Sequence, residues 1–421
     1  MTAPLLAVLI AMVTLGLILI RPRYVPEPVA AGAGAVAMVA IGLITPIAAA
    51  SAILASWNVF LFFLGLMLAA AAAERAGVFE AAADVVARLG CGSARLLLVL
   101  VFALGTLVTA LLSNDATALL LTPVVFNLSR RLRVPPLPYA YACALVANAA
   151  SFILPVSNPA NLLVLAGAPM TLDVFVGRLW LPSIASVVVT LAGLLALSWT
   201  SLDRRYEPPA PRALDVRVTV GIIGLAVMTT GYLLADRVGM PLGIVACLGA
   251  VLLITLDTAV ADRRGQHVCA LVQDVSWGLL GLLAGLTVVV AGLEQSGAAV
   301  RGAALLETLA ERGLAGQAIV ALGTAASSNI INNLPLALIV AASLHGVSSD
   351  NAVVDLATAA IVGIDLGPNL TTVGSFATML WLMLLRRRGV AVSAGAYSRV
   401  GLLVTPPALL AAIAALILAR R

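Results

Sequence analysis

Two polar interruptions divide apolar runs that are otherwise long enough to cross a bilayer. The first is Ser-Asn-Asp-Ala-Thr at 113–117, and the second combines Ser-Asn at 328–329 with Asn-Asn-Leu-Pro at 332–335. Within hydrocarbon, polar side chains and broken backbone are tolerated only where they face protein or a water-filled cavity. The two interruptions are therefore predicted to form parts of one binding site.

The composition places these runs in a membrane. Apolar residues make up 62% of the 421 residues, charged residues make up 10%, and the mean hydropathy of +1.11 lies outside the range of soluble domains. The first apolar run, 3–20, is followed rather than preceded by Arg21 and Arg23, which is the reverse of a cleavable signal peptide. We therefore expect a polytopic membrane protein that retains its first helix.

The charged and cysteine residues argue against several other classes. All 24 basic residues are arginine, and in a membrane protein positive charge reports orientation rather than nucleic-acid binding. The four cysteines form no C-x-x-C pair, so neither a disulfide framework nor a zinc site is indicated, and we interpret them as packing residues. No cofactor, metal or catalytic arrangement is predicted, and the chain is not expected to be an enzyme.

The order of segments in residues 1–200 recurs in residues 217–421, after a polar linker at 201–216. Each half is predicted to hold three spans, an amphipathic piece, an interrupted run, a broken helix and a final span. The ranges are 3–20, 28–50, 53–73, 76–90, 95–130, 138–168 and 180–200 in the first half, then 217–236, 241–259, 276–292, 298–312, 316–345, 353–386 and 397–419 in the second.

The repeat is also visible in single residues. Matches at one constant spacing join Trp57, Glu74 and Gly77 to Trp277, Glu294 and Gly297. A series of matches in the right order, together with the recurring element order, indicates an internal duplication.

The interrupted runs are interpreted as re-entrant hairpins. At 1.5 Å per residue the arms 316–331 and 335–345 would be about 24 and 17 Å long, against a hydrocarbon core of about 30 Å. The repeat extends this interpretation to 95–130. The predicted fold class is an all-α polytopic membrane protein with two inverted-topology repeats, about ten transmembrane helices and two re-entrant helical hairpins, with broken helices at the midplane.

The arginines predict the orientation of this topology. Most of the 24 fall on one side, which is therefore expected to be cytoplasmic. Both termini are then extracytoplasmic, the linker is cytoplasmic, and the first hairpin enters from the cytoplasm while the second enters from outside.

Four polar clusters converge at the midplane in this arrangement. Proline and glycine free backbone groups there, the ends of half-helices carry partial charges, and Asn, Ser and Thr add neutral donors and acceptors. The predicted substrate-binding residues are Ser113, Asn114, Thr117, Asn148, Ser157, Asn158, Asn332, Asn333, Asn369, Thr371, Thr372 and Ser375.

Asp115 and Asp365 are the two acids most clearly placed at membrane depth. An unpaired acid there costs at least about 2.5–3.5 kcal/mol, so each is expected to be protonated, paired or ion-bound during part of a transport cycle. We assign proton coupling to both. The alternative for Asp365 is that it caps or braces a half-helix.

Other polar residues have structural alternatives. Interhelical hydrogen bonding is the alternative for Asn148, Asn161 and Asn329. Glu74 and Glu294 are expected at the membrane interface, outside the site.

Basic side chains are scarce beside the four clusters, and the two histidines, His267 and His345, lie in predicted loops. The site therefore suits a neutral polyhydroxylated solute or a small cation. Helix N-termini alone can hold a carboxylate, so an anion stays open at this point.

Three stretches carry a family resemblance. They begin at Asn114, at Ser328 and at Gly363, and the most specific is Gly-Ile-Asp-Leu-Gly-Pro-Asn-Leu-Thr-Thr-Val-Gly-Ser-Phe-Ala-Thr-Met-Leu-Trp at 363–381. The chain resembles the arsenite permeases, or arsenical pump membrane proteins, of the ion transporter superfamily. The first two stretches are shared more widely, including with sodium/proton antiporters of that superfamily.

The resemblance implies a bacterial inner-membrane protein that exports arsenite and antimonite as neutral trihydroxides in exchange for protons. Some members bind a soluble arsenite-stimulated ATPase at the cytoplasmic face. The resemblance also implies that residues 114–115, 332–333 and 365–375 form the site. Where the best-known members have Asn-Asp-Gly-Ala-Ala, this chain has Asn-Asp-Ala-Thr-Ala, and the added hydroxyl of Thr117 leaves sodium coupling open.

Three alternatives remain at this stage. One is a sodium/proton antiporter of the same superfamily, and another is a channel-like or purely structural helical bundle. The third is a soft thiolate arsenic site, for which Cys143 near the first broken helix is the candidate.

Overall fold

The computed structural model describes residues 3–419 except 21, 23, 24, 169, 212, 214, 261–270 and 272. The described residues are helical throughout the bundle and form no strand. Nine of the helices described are long and apolar enough to cross a membrane. The predicted all-α polytopic architecture is confirmed.

The first half contains eleven helices, two of which are joined by a π-helical turn. They are α1 (Ala3–Ile20), α2 (Glu27–Ala40), α3 (Pro46–Ala55), α4 (Trp57–Arg75), α5 (Val78–Leu89), α6 (Ala94–Leu111), α7 (Asn114–Ala116), the π turn (Thr117–Leu121), α8 (Thr122–Arg131), α9 (Pro136–Ala149), a 3-10 turn (Pro155–Ser157), α10 (Pro159–Gly167) and α11 (Leu172–Ser198).

The described part of the second half follows the same order. It contains α12 (Val216–Ala235), a 3-10 turn (Asp236–Val238), α13 (Leu242–Val260), α14 (Trp277–Gln295), α15 (Ala299–Ala310), α16 (Leu314–Ile331), α17 (Asn333–Leu344), α18 (Asp350–Leu366), a 3-10 turn (Gly367–Leu370), α19 (Phe376–Arg387) and α20 (Ala394–Ala419). The exact repeat boundaries, 1–200, 201–216 and 217–421, stay a prediction.

The two halves pack as interlocked units. Helix α4 of the first half packs along α13 of the second half. Helix α14, the equivalent of α4 in the second half, packs along α2 of the first half. The last helices of the halves, α11 and α20, also pack together. Helices α4 and α14 are both 19 residues long, both begin with Trp, and both are followed closely by a left-handed glycine, Gly77 (φ 80°) or Gly297 (φ 78°).

One predicted span is two helices. Residues 28–50 were expected to form a single helix, but α2 ends at Ala40 and α3 begins at Pro46. Gly42 turns the chain with φ 78°, and the Thr45 side chain accepts from the amide of Ala48 as an N-cap. A capping threonine followed by proline starts a new helix, which explains the break.

Each interrupted run folds into two helical arms. In the first hairpin, α6 turns at Leu112 into α7, and the Ser113 side chain caps α7 by accepting from the amide of Ala116 at 3.1 Å. The hydroxyls of Thr109 and Thr117 lie 2.7 Å apart across the arms. In the second hairpin, α16 turns into α17 at Asn332, whose φ of 70° is a left-handed value that asparagine tolerates better than most residues.

The two broken helices are α9 with α10, and α18 with α19. In the first break, the hydroxyls of Ser183 and Ser186 on α11 donate to the carbonyls of Phe152 and Ala149 at 3.0 and 2.9 Å. These bonds satisfy backbone groups that the interruption frees, which allows irregular backbone inside the bundle.

The hairpins are held by both halves. Helix α10 packs along α17 so closely that a Cβ on Gly167 would lie 2.3 Å from the carbonyl oxygen of Ala341. In the other half, α19 packs against the π turn of the first hairpin. Each hairpin is therefore wedged against the broken helix of the opposite half.

The orientation stays a prediction, because Arg21, Arg23, Arg212, Arg263, Arg264, Arg420 and Arg421 lie outside the described residues, as do His267 and Cys269. The linker is anchored to the first half. The Tyr206 hydroxyl donates to the carbonyl of Ala87 at 2.6 Å, and its amide donates to the carbonyl of Gly92 at 2.9 Å.

Candidate functional site at the hairpin tips and broken helices

The two broken helices are hydrogen-bonded to each other at the centre of the bundle. The side-chain amide of Asn148 donates to Asn369 Oδ1 at 2.9 Å, and the side-chain amide of Asn158 donates to Asp365 Oδ1 at 2.7 Å. All four side chains are buried. Two of the predicted clusters, one from each half, therefore meet as one polar centre.

The first hairpin tip is bonded to the broken helix of its own half. The Ser157 hydroxyl donates to the carbonyl of Ala110 at 3.1 Å. At the tip, the Asp115 amide donates to Asn114 Oδ1 at 2.9 Å. Among the described residues, no hydrogen-bond or ion-pair partner is found for the Asp115 carboxyl group.

The second tip is bonded to the second broken helix through more groups. The Asn332 side chain donates to the carbonyl of Val373, and the backbone amide of Asn333 donates to the carbonyl of Gly374, both at 3.0 Å. Nearby, the Asn329 side chain donates to the carbonyl of Gly367 at 2.9 Å. In the described part of the chain, no hydrogen bond joins the two tips directly.

A cavity of about 250 Å³ reaches the first tip and is lined there by Ser113 and Asp115. Glu74 near the C-terminus of α4, and Asp274 and Ser276 before α14, line the same space. We call it the Asp115 cavity. Among the described residues its charged lining is entirely acidic, so it disfavours an anion and favours a cation, a proton or a neutral solute.

A second cavity of about 610 Å³ lies along the same pair of helices. It is lined by Ser56 and Asn58 at the start of α4, by Glu294 near the C-terminus of α14, and by His345 just after α17. We call it the Glu294 cavity. The first cavity joins the end of α4 to the start of α14, and the second joins the opposite ends, so the two helices run antiparallel and the cavities lie at opposite ends of them.

The centre contains buried oxygens that have no partner in the described structure. They are Asn148 Oδ1, Asn161 Oδ1, Asn333 Oδ1 and Asp365 Oδ2. All four are acceptors, while the amide nitrogens of Asn148 and Asn161 are already donating. A ligand that satisfies these oxygens must supply O–H or N–H donors or positive charge.

Several predicted site residues lie away from the cavities. The Thr117 hydroxyl is buried between the hairpin arms, where it contacts Thr109 and the carbonyl of Gly105. Thr371 donates to Asn329 Oδ1 at 2.7 Å, and Thr372 is half-buried in the second break. Ser375 caps α19 by accepting from the amide of Thr378 at 3.1 Å.

The sequence prediction missed three residues. Ser151 lies beside Asp365 in the first break. Thr378 shares hydrogen bonds with Ser375 at 2.9 Å and Asn148 at 3.5 Å, and its position three residues after a capping serine was the available signal. Glu74 was placed at the interface but lines the Asp115 cavity.

Comparisons with known proteins identify the family of the chain. Residues 7–363 match the family model described as a citrate transporter. The arsenical pump membrane protein of Escherichia coli K12 is 29% identical over 428 residues, covering 98% of both chains. Another arsenical pump membrane protein from Escherichia coli is 30% identical over 374 residues, covering 86% of both. The chain belongs to the arsenical pump membrane protein family. It also falls within the broader family that the citrate transporter model describes.

A solved structure supports the fold. The YdaH transporter of Alcanivorax borkumensis aligns with a TM-score of 0.54 over 99% of this chain and 98% of its own, at 17% identity. The family resemblance inferred from the motifs is confirmed, and the chain is a multi-pass membrane transporter whose relatives are named as pumps.

Proposed function

We propose that this arsenical pump family member exports arsenite and antimonite as neutral trihydroxides in exchange for protons, by alternating access across a bacterial inner membrane. The observation that carries the proposal is the acidic lining of the Asp115 cavity, which contains Glu74 and Asp274 and, among the described residues, no basic side chain. A citrate anion would be repelled there. A neutral solute would not.

The buried acceptor oxygens support a trihydroxide. Three O–H groups on one molecule are donors of the kind that the unsatisfied acceptors need, namely Asn148 Oδ1, Asn161 Oδ1, Asn333 Oδ1 and Asp365 Oδ2. Leaving such oxygens unpaired costs about 1–3 kcal/mol each, so a solute that donates to them is bound without a fixed charge. The predicted residues Ser113, Asn114, Ser157, Asn158 and Asn369 surround this centre in the proposal.

The two acids take different places in the proposed cycle. Asp115 faces the cavity with no described partner, so it takes up a proton when the cavity closes around it and releases one when the cavity opens. Asp365 already accepts from Asn158 at 2.7 Å. Asp365 Oδ2 has no described partner, and in the proposal the solute or a second proton binds to this atom.

The proposal also includes the predicted partners. A soluble ATPase at the cytoplasmic face rests on family membership alone. The predicted orientation, with both termini extracytoplasmic, places the Asp115 cavity on the cytoplasmic side, where arsenite is loaded.

Everted membrane vesicles test the function. With an inside-acid gradient, vesicles carrying the protein should accumulate arsenite. Asp115→Asn should abolish this accumulation, because an amide does not bind and release a proton as a carboxyl group does. Asp173→Asn is the matched control, since Asp173 is exposed in the first turn of α11. It should transport normally.

Each outcome decides something. Absence of arsenite accumulation in the unaltered protein would overturn the proposed substrate. Normal accumulation in Asp115→Asn would remove Asp115 from coupling. Dissipation of the gradient by sodium without arsenite would instead establish a sodium/proton antiporter.

A further inference from the structure

Glu74 and Glu294 occupy equivalent positions in the two halves. Each is the penultimate residue of a 19-residue helix, α4 or α14. Each is followed three positions later by a left-handed glycine, Gly77 or Gly297. The internal repeat therefore places one carboxyl group at each of two opposite ends of the bundle.

Each of these carboxyl groups lines a different cavity. Glu74 lines the Asp115 cavity, and Glu294 lines the cavity that bears its name. The two cavities lie at opposite ends of the antiparallel pair α4 and α14. A carboxyl group that lines a cavity can exchange protons with solvent entering that cavity, which an isolated interfacial charge does not do.

We infer that Glu74 and Glu294 are the two proton ports of the transporter, each exchanging protons with water on its own face of the membrane and passing them along its cavity. Glu74 serves Asp115 directly, since both line one cavity. The inference rests on the proposed proton exchange and assigns its entry and exit.

The surroundings of Glu74 favour this role. Its neighbours are Glu80 on α5, Asp274 before α14, and the adjacent Arg75, with Asp115 across the cavity. Arg75 donates two hydrogen bonds to Asp274, at 2.9 and 2.6 Å, so its charge is engaged there. Acidic groups concentrated at a cavity mouth raise the local concentration of protons and make their capture faster.

The surroundings of Glu294 differ in one respect. His345 Nδ1 lies 3.4 Å from Glu294 Oε1, which pairs the carboxyl group with an imidazole. Ser56, Asn58 and Thr287 supply the remaining polar lining that the structure describes, and they are uncharged. The imidazole has two ring nitrogens, so the one that does not contact Glu294 remains able to donate to or accept from a second group.

No hairpin-tip residue lines the Glu294 cavity in the described structure, and its lining includes the apolar side chains of Leu162 and Leu338. Glu74 therefore shares a cavity with the coupling acid, while Glu294 does not. Two ports that connect to the interior in turn are what an exchanger requires to avoid leaking protons.

The test uses purified full-length protein in liposomes, with pH set separately on each face. Glu74→Gln should slow proton-driven arsenite transport by at least about tenfold when the Glu74 face is alkaline, and much less when it is acidic. Glu74→Asp should restore most of the rate. Glu294→Gln should show the same dependence on the pH of the opposite face.

Two further arms separate a port from a structural residue. A high concentration of a small buffer acid that enters the cavity but does not cross the bilayer should partly restore the transport rate of Glu74→Gln. The buffer then carries protons in place of the missing carboxyl group. Glu311→Gln, at an exposed acid just after α15 that lines neither cavity, should behave as the unaltered protein. Equilibrium arsenite binding at acidic pH should be unchanged in all variants, which establishes that they are folded.

The outcomes keep the two proposals apart. If the unaltered protein exchanges arsenite for protons and Glu74→Gln equals it at every pH, the port is wrong and the function stands. A defect that is independent of pH and of the buffer acid would also overturn the port. If the unaltered protein shows no such exchange, the proposed function itself fails.

Discussion

At the first hairpin tip, Asp115 faces an open cavity and its carboxyl group has no described partner. At the second tip, Asn332 and Asn333 are bonded to the carbonyls of Val373 and Gly374, and the adjacent Asn329 is bonded to Gly367. The tips occupy equivalent positions in the two predicted repeats, but they differ in sequence as well as in their hydrogen-bond partners. The structure is accessible at the first tip and sealed at the second.

The comparison indicates what must change during transport. Exposing the second tip requires breaking its bonds to the second broken helix, each worth about 0.5–1.5 kcal/mol net. Closing the first tip requires burying Asp115, which favours its neutral form. In the proposed exchange, proton uptake and tip closure are coupled through the side chain of Asp115.

The largest expected effect is on accessibility. In a background free of the four native cysteines, Ser113→Cys should react rapidly with a membrane-impermeant maleimide added from the face of the Asp115 cavity, because Ser113 lines that cavity. The native side chains are similarly buried, Ser113 at 4% and Asn333 at 3% exposed, but Asn333 lines neither the Asp115 cavity nor the Glu294 cavity, so Asn333→Cys should stay unlabelled. Equal labelling of both positions in the absence of substrate would refute the difference between the tips.

A smaller effect is expected from crowding the second tip. A Cβ on Gly374 would lie 2.5 Å from the Cα of Pro368 and 2.9 Å from Asn329 Oδ1, so Gly374→Ala should destabilise the protein by about 1–3 kcal/mol and abolish most transport. Thermal unfolding in detergent measures the first quantity. Gly323→Ala on α16 is the control, since nothing lies within 4 Å of its added Cβ. It should be neutral or slightly stabilising.

The outcome of the glycine pair decides whether the second break is tightly packed. A Gly374→Ala protein with normal stability and normal transport would show that the second tip tolerates a shift of the broken helix. The seal would then be weaker than its hydrogen bonds indicate.

The smallest effect concerns Thr117. Because its hydroxyl contacts Thr109 between the arms, Thr117→Val should cost about 1 kcal/mol of stability and leave the transport rate and its independence of sodium nearly unchanged. Thr117→Ser should retain both. Selective loss of transport at unchanged stability would place Thr117 in the binding site instead.

The sequence predicted the breaks well because their signals are local. Asn158 before Pro159 and the capping Ser375 mark where helices restart, and the structure begins α10 and α19 at those places. Gly42 and Thr45 are equally local signals of a break, but the apolar character of 28–50 continues through them and hides it.

What the sequence could not supply is the direction of individual side chains. The π turn at Thr117–Leu121 changes the helical phase, and it directs Thr117 towards Thr109 rather than the cavity. The exposed Glu74 lines a cavity only because Asp274 and Ser276, about two hundred residues away, complete its wall. Such long-range neighbours leave no periodic signal in a single chain.

The bonds between the broken helices also bear on biogenesis. Asn148 and Asn158 find their partners 221 and 207 residues further along the chain. A ribosome inserting the first half therefore leaves two amide side chains unpaired in the bilayer until nearly the whole protein has been made. We expect the nascent first half to be the stage most dependent on insertion chaperones and most exposed to quality-control proteolysis.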